Sequence, residues 1–320
     1  MLGFGQKSFV ALEDRGVLAV AGPDARAFLQ GVITNDVEKA RPGQAIYAAL
    51  LSPQGRYLFD FFIVELDGVL FLDVAKSRLE PLRERLLKYR LRAKVEIDDV
   101  SKLFRIVALL GDGTHDSEAL RGYEGRGGPF AAGFCYVDPR YAGIGARALL
   151  PLSGVEGLEN AGFGSNDRMG YETLRLHFGI PEGTVDLVAE KSLPLEANLD
   201  LLNAIDWQKG CYVGQELTAR MRYRALLKKR LLPVEIEGDV PAIGTAVTYD
   251  GAEAGEMRTG MGDQGIALLR LDAVVAAVKA ERPLLAGDAK ITPKHPGWLP
   301  NEDAGASGQG EASQEPSPQA

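Results

Sequence analysis

The apolar positions of this chain fall into short runs of two different periods. Residues 16–22, GVLAVAG, are a compact apolar run that predicts a strand. Behind Pro23 and Asp24, the residues Phe28, Leu29, Val32 and Ile33 recur at helical spacing, so PDARAFLQGVITND predicts a short helix with one core face. AIYAALLS, RYLFDFFIVEL and VLFLDVA predict three strands, the last two joined by the hairpin dipeptide Asp67-Gly68. Residues 76–92 predict a helix, with Ser77 as a cap and Pro81 near its first turn. FRIVALLG, FCYVDPR and ARALLPL predict strands, with RGYEGRGG as a loop before the last two. Ser165 is placed to cap a helix over 166–178 that Gly179-Ile180-Pro181 ends, and LEANLDLLNAI reads as one more short helix.

After residue 228 the texture changes. KRLLPVEIEG, TAVTYDG, AEAGEMRTG and GIALLRLD are short strand-like runs between turn residues, which predicts a small antiparallel barrel or sandwich. NEDAGASGQGEASQEPSPQA has no apolar pattern and predicts disorder. The chain thus divides into a core over 1–227, a barrel over 228–296 and a tail over 297–320. Hairpins and helices without regular βαβ alternation predict an α+β class.

Charge changes the picture. The net charge is −8, and residues 301–320 hold four acids and no bases. Residues 76–94 carry eight Lys/Arg against two acids, and residues 209–230 carry seven against one. Bases gathered this way on an acidic chain suit either a solvated helix face or an anionic partner. No run of about eighteen apolar residues occurs, so no membrane span and no membrane partner is expected. The start, MLGFGQKSFV, lacks the long apolar stretch of a signal peptide. With only two cysteines, no disulfide framework is expected, and the two thiols are read as reduced in a cytoplasm.

The candidate chemistry gathers at DWQKGCYVGQELTARMRYR, residues 206–224. Cys211 stands between Gly210 and Gly214, with Lys209 before it and a basic helix predicted from about Gly214. A free cysteine is most often a small buried hydrophobe. A thiol before a helix start and beside a lysine is also where a thiolate is favoured. No second cysteine or histidine lies nearby, so a closed metal site is not expected and no residue is assigned as a metal ligand. One thiolate can still share a ligand with a partner or exchange with another sulfur. Glu216 and Arg220 are spaced to pair, and Arg220 and Arg224 share a helix face suited to an anion. Cys135 and the pair Asn35 and Asp36 read as core and as a turn or cap, respectively.

KGCYVGQELTARMRYR resembles the signature of the YgfZ-type folate-binding proteins, approximately K-G-C-[YF]-x-G-Q-E-x-x-x-R-x-x-[YFH]-R, at every fixed position. GPDARAFLQGVITNDV, LSPQGRYLFDFFI, GIPEG, LPLEANLD and AGEMRTGMGDQGIALLRLD are similar to other blocks of that family, so the likeness covers about residues 1–295. These proteins are related to the T-protein of the glycine cleavage system. The resemblance implies an aminomethyltransferase-like folate-binding core of two subdomains, a C-terminal antiparallel β-barrel, and tetrahydrofolate in a central opening. It implies a role in making or repairing iron–sulfur proteins, including those that modify tRNA, with Cys211 as the reactive group. By the same carry-over, Asp60 and Glu196 face folate, while Lys209, Tyr212, Arg220 and Arg224 complete the binding set. T-proteins show two adjacent acids where this chain has Phe59-Asp60. The alternative is a tetrahydrofolate-dependent one-carbon transferase, and that missing acid counts against it. Iron–sulfur client proteins are the expected partners; direct nucleic-acid binding is not expected.

Overall fold

The computed structural model describes residues 5–300 apart from 113, 117, 225 and 226. Its plan follows from the strand Tyr57–Leu66, which is apolar on both faces. Phe59, Phe61 and Ile63 point one way; Phe62 and Val64, with Asp60 on the same parity, point the other. The strand lies in a five-stranded antiparallel sheet, in the order Ile46–Leu51, Tyr57–Leu66, Val69–Ala75, Arg15–Ala21, Glu96–Asp99. Helices α1 (Ala25–Val32) and α2 (Lys76–Arg90) cover its first face. Phe28 and Leu29 of α1 and Leu79, Leu82 and Leu86 of α2 are buried there with Leu18, Val20 and Phe61. Because α2 starts at Lys76, Ser77 is not its cap, and the helix runs on through an exposed Pro81. The leucine face holds α2 against the sheet despite the backbone bond that proline cannot make.

A six-stranded sheet follows, in the order Gly164–Ser165, Ser8–Ala11, Phe104–Leu110, Ala146–Pro151, Gly133–Val137, Gly127–Phe130. It carries α3 (Glu156–Asn160) and α4 (Arg168–His177). Asp167, rather than Ser165, caps α4 by accepting from the Gly170 amide at 3.1 Å. The helix expected in LEANLDLLNAI does not form; turns replace it, with Asn198 and Asn203 both at φ 59. Their amides explain this. Asn198 donates to the Leu231 carbonyl at 2.7 Å and accepts from Arg230 at 2.9 Å, and Asn203 donates to the Pro139 carbonyl at 3.0 Å. Side-chain bonds to neighbouring units thus fix left-handed residues that asparagine tolerates better than most.

Helix α5 (Gln215–Tyr223) leads toward the C-terminal unit. There six antiparallel strands close into a barrel, in the order Lys229–Glu237, Gln264–Arg270, Ala252–Met261, Ala246–Tyr249, Leu284–Ala286, Ala289–Pro293. A helix that sequence reading did not anticipate, α6 (Leu271–Lys279), packs Val274 and Ala277 onto the barrel core. Residues 301–320 of the expected tail lie outside the described residues. Its first residues are packed: Trp298 donates to the Phe178 carbonyl at 2.8 Å, and Leu299 is buried with the barrel core.

One apolar cluster joins the three units. Tyr47, Leu51, Tyr57 and Phe62 of the first sheet meet Phe134 and Tyr136 of the second, Leu195, Ile205 and Tyr212 of the connecting coil, and Leu231 and Ile266 of the barrel. Beside it lies a buried ionic group. Asp73 accepts from Arg15 at 2.6 Å and from Arg147 at 2.7 Å, and Asp138 holds Arg140 at 2.8 Å. All three guanidiniums face the Phe62 ring, at 5.6, 4.1 and 5.0 Å respectively for Arg15, Arg147 and Arg140. Burial alone would raise the Asp73 pKa, but Arg15 and Arg147 outweigh it and hold the carboxyl below its usual range.

Candidate functional site: a cysteine at the crown of an arch

The signature segment crosses the C-terminal end of α1. A helix leaves its last carbonyls without partners. The Gln30 carbonyl would ordinarily receive the Thr34 amide, but that amide bonds to the Ala49 carbonyl at 2.9 Å. The Lys209 ammonium takes its place, donating to the carbonyls of Gln30 at 2.8 Å, Ile33 at 2.6 Å and Asn35 at 2.8 Å. Two residues past the cysteine, the Val213 amide donates to the Gly31 carbonyl at 3.2 Å. Residues 209–213 therefore form an arch with both feet on α1. Gly210 and Cys211 are exposed at its crown, and Tyr212 turns inward into the central core.

Each foot is held by further bonds. Thr34 donates its hydroxyl to the Ala204 carbonyl at 2.6 Å and accepts from the Ala49 amide at 2.8 Å. Asn35 donates to the carbonyls of Tyr47 at 2.7 Å and Asn203 at 2.8 Å. Asp206, paired with Lys39 at 2.7 Å, accepts from the Gln208 amide at 2.7 Å. Gly214 lies at φ 83, and a side chain there would run into the Ser52 carbonyl and stand 3.1 Å from Gly55 Cα. Gly214→Ala is therefore expected to destabilise the chain by at least about 2 kcal/mol, read as a lower urea midpoint.

The other expected site residues are placed as follows. Lys209 spends its charge on the α1 carbonyls rather than on the thiol; burial lowers its pKa to about 8, against the opposing pull of Asp36 and Asp206. The Tyr212 hydroxyl is buried with no hydrogen-bond partner among the described residues, and burial pushes its pKa up to about 12. Arg220 pairs with Glu216 at 2.7 Å on the exposed side of α5, a contact worth well under about 1 kcal/mol. Arg224 is exposed at the end of α5, and Arg222 lies 4.2 Å over the Trp207 ring. Asp60 accepts from the Tyr47 hydroxyl at 2.9 Å and the Tyr57 hydroxyl at 2.6 Å. Glu196 is half-buried; burial raises its pKa, with Lys229 and Arg56 pulling the other way. A separate cleft of about 540 Å³, lined by Asp36, Lys39, Arg41, Tyr47, Tyr123 and Asn203 among others, opens beside the 33–36 turn. Neither Cys211 nor Asp60 nor Glu196 lines it.

Comparison with known proteins places this arrangement. Residues 12–117 match the GCVT N-terminal domain family, and residues 228–301 match the C-terminal β-barrel domain of CAF17. The chain is 34% identical over 312 residues to the mitochondrial iron–sulfur cluster assembly factor IBA57 of Mus musculus, covering 90% of this chain and 84% of the relative. It is 35% identical over 277 residues to that of Homo sapiens, covering 81% and 76%. The chain belongs to the IBA57 family of iron–sulfur cluster assembly factors. Its fold is that of an aminomethyltransferase: the glycine cleavage system aminomethyltransferase T of Bartonella henselae superposes with a TM-score of 0.72 at 16% identity, over 91% of this chain and 85% of that one.

The family corrects one expectation. Its mouse and human members are mitochondrial by name, so the cytoplasmic placement read from composition does not stand. Two unpaired cysteines fit any reducing compartment, and composition had no means of choosing one.

The fold also raises the question of folate, and the two carboxylates differ. Each Asp60 oxygen accepts from one tyrosine hydroxyl, and a Cβ on Gly183 would collide with one of those oxygens. The pocket reaching Asp60 from the arginine side, which Arg15, Arg140 and Arg147 also line, holds about 10 Å³, roughly the room of one water. That side of Asp60 therefore has no room for a pterin. Glu196, half-buried like Asp60, has acceptor oxygens for the paired N–H donors of a pterin edge, and among the described residues its carboxylate accepts no side-chain hydrogen bond that would compete. Thr34, Asn35 and Val213, which tie the arch down, were not singled out as site residues in the sequence; the only signal was the ITND turn at helix spacing from α1.

Proposed function

We propose that this chain works in iron–sulfur cluster assembly by lending the Cys211 thiolate as one ligand to a cluster it shares with a client or partner protein. The observation that carries this is the arch: an exposed thiol whose flanking residues are both anchored to α1. A cluster asks for several thiolate or imidazole ligands. Among the described residues no group of three or more His, Cys, Asp or Glu side chains is arranged to hold a metal. The remaining ligands must come from the other protein. The names of the mouse and human relatives support the assembly role, and the K-G-C-Y-x-G-Q-E signature supports the narrower YgfZ-type reading, with clients that include tRNA-thiolating enzymes.

In this reading tetrahydrofolate is held by Glu196 and supplies its own one-carbon chemistry when bound. The residues of this chain orient it and exclude water. Titration of the purified protein with tetrahydrofolate tests this. Glu196→Gln is expected to weaken binding about tenfold, the loss of one charged hydrogen bond, while Asp60→Asn leaves the affinity unchanged. Equal losses in both variants would return the pterin to Asp60, and an absence of binding to the unaltered chain would remove folate from the proposal. The assembly role is tested in a strain lacking this protein. Iron–sulfur enzyme activities should fall and return when the chain is supplied, whereas unchanged activities would sink the proposal.

A further inference from the structure

Lys209 is a signature residue that ligand binding leaves unexplained, because its ammonium is turned away from solvent. We propose that Lys209 is a positioning residue for the thiol, fixing Cys211 relative to α1 by closing one foot of the arch; this rests on the reading of Cys211 as a cluster ligand. The geometry carries it. Three carbonyl oxygens surround one nitrogen at 2.6–2.8 Å, and two of the three belong to the end of α1 or the residue just after it. Positive charge there also meets the negative end of the helix dipole. The Lys209 nitrogen lies 5.1 Å from the Tyr212 ring centroid, so the buried residue on the other side of the thiol packs on the same cation. Lys209 and Val213 bracket Cys211 symmetrically, two positions to each side, and both bond to consecutive carbonyls of one helix, Gln30 and Gly31. At the crown a side chain on Gly210 would meet open space, and Cys211 next to it is exposed.

The cage is specific to an ammonium. A lysine nitrogen directs three donors outward from one point, whereas the planar guanidinium of arginine spreads its donors over a fork. Lys209→Arg therefore keeps the charge and loses the fit. Lys209→Met keeps the stem and loses both.

The test uses the full chain with a nitroxide label on Cys211. Labelling is selective because Cys135 is buried and its thiol is pushed up to about 12 by burial. The unaltered protein should show an immobilised spectral component. Lys209→Met and Val213→Pro, which removes the amide of the other foot, should each lose it at a temperature where circular dichroism shows the chain folded. Lys209→Arg should not restore it. Leu82→Ala, a core variant of α2, should lower the melting temperature and leave the label spectrum unchanged. Rescue of iron–sulfur enzyme activity should fall in Lys209→Met toward the level of Cys211→Ser. An unchanged label spectrum in Lys209→Met, or full restoration by arginine, would overturn the positioning role. Full rescue by Cys211→Ser would instead overturn the ligand reading, and the label spectra would still decide whether the arch holds the thiol.

Discussion

Cys211→Ser is expected to abolish recovery of iron–sulfur enzyme activity in a strain lacking this protein, with no change in the urea midpoint of the purified chain. The two halves of that expectation have separate reasons. Cys211 is exposed at the arch crown, and serine is nearly the same shape, so the folded state loses no packing. Exposed substitutions of this kind usually shift stability by less than about 0.5 kcal/mol. The serine hydroxyl, by contrast, does not ionise near neutrality and is a poor ligand for iron in place of a thiolate. Cys135→Ser gives the mirror image. It puts a hydroxyl into a buried strand site whose sulfur now donates weakly to the Gly128 carbonyl at 3.8 Å. Stability should fall there while the activity of whatever chain folds is kept. Full rescue by Cys211→Ser at normal expression would mean the thiol is not the working group.

The second large effect concerns the interior. Asp73→Asn should destabilise the chain by about 3–5 kcal/mol, a large part of a total on the order of 10 kcal/mol, because it leaves Arg15 and Arg147 buried around a neutral amide. Arg15 and Arg147 are the partners at 2.6 and 2.7 Å, and both have side chains at or below 6% exposure. The pH dependence follows from the direction of the shift. The Asp73 pKa is lower in the folded chain than in the unfolded one, so its contribution is fully present above the ordinary carboxylate pKa. It is lost as pH falls through the depressed folded value. The stability gap between the unaltered chain and Asp73→Asn should therefore be widest near neutrality and narrow in acid. Urea titrations at several pH values measure this, and a gap that stayed constant down to strong acid would show that Asp73 acts through shape rather than charge.

Much of this fold was legible in the chain because its strands have clear periods. The hairpin at Asp67-Gly68 and the short runs after 228 carried turn chemistry that leaves little choice. The segment 195–205 reads as helical in sequence because its leucines are suitably spaced. What overrides them is tertiary: the Asn198 amide bonds to the barrel and the Asn203 amide to the loop between two strands of the second sheet, partners that adjacent sequence does not reveal. At the site, Cys211 could be found from its setting, since glycines and a lysine around a lone cysteine are visible in the sequence. The use of that lysine could not. A lysine beside a thiol suggests charge stabilisation, and only the fold shows that α1 ends against it with carbonyls unpaired. The bonds from Tyr47 and Tyr57 to Asp60 are hidden likewise: Tyr47 lies on the neighbouring strand, and Tyr57 comes onto the Asp60 side where the register shifts opposite Leu50 and Leu51.

The arch also settles which part of the molecule carries the thiol. Its feet stand on a helix of the N-terminal sheet, although its chain continues into α5 and the barrel. Its hydrogen bonds tie the thiol to that sheet, while Tyr212 at its side packs with Leu231 and Ile266 of the barrel. The frame of reference for any cluster held at Cys211 is therefore set more than 170 residues earlier in the chain, at Gln30 and Ile33.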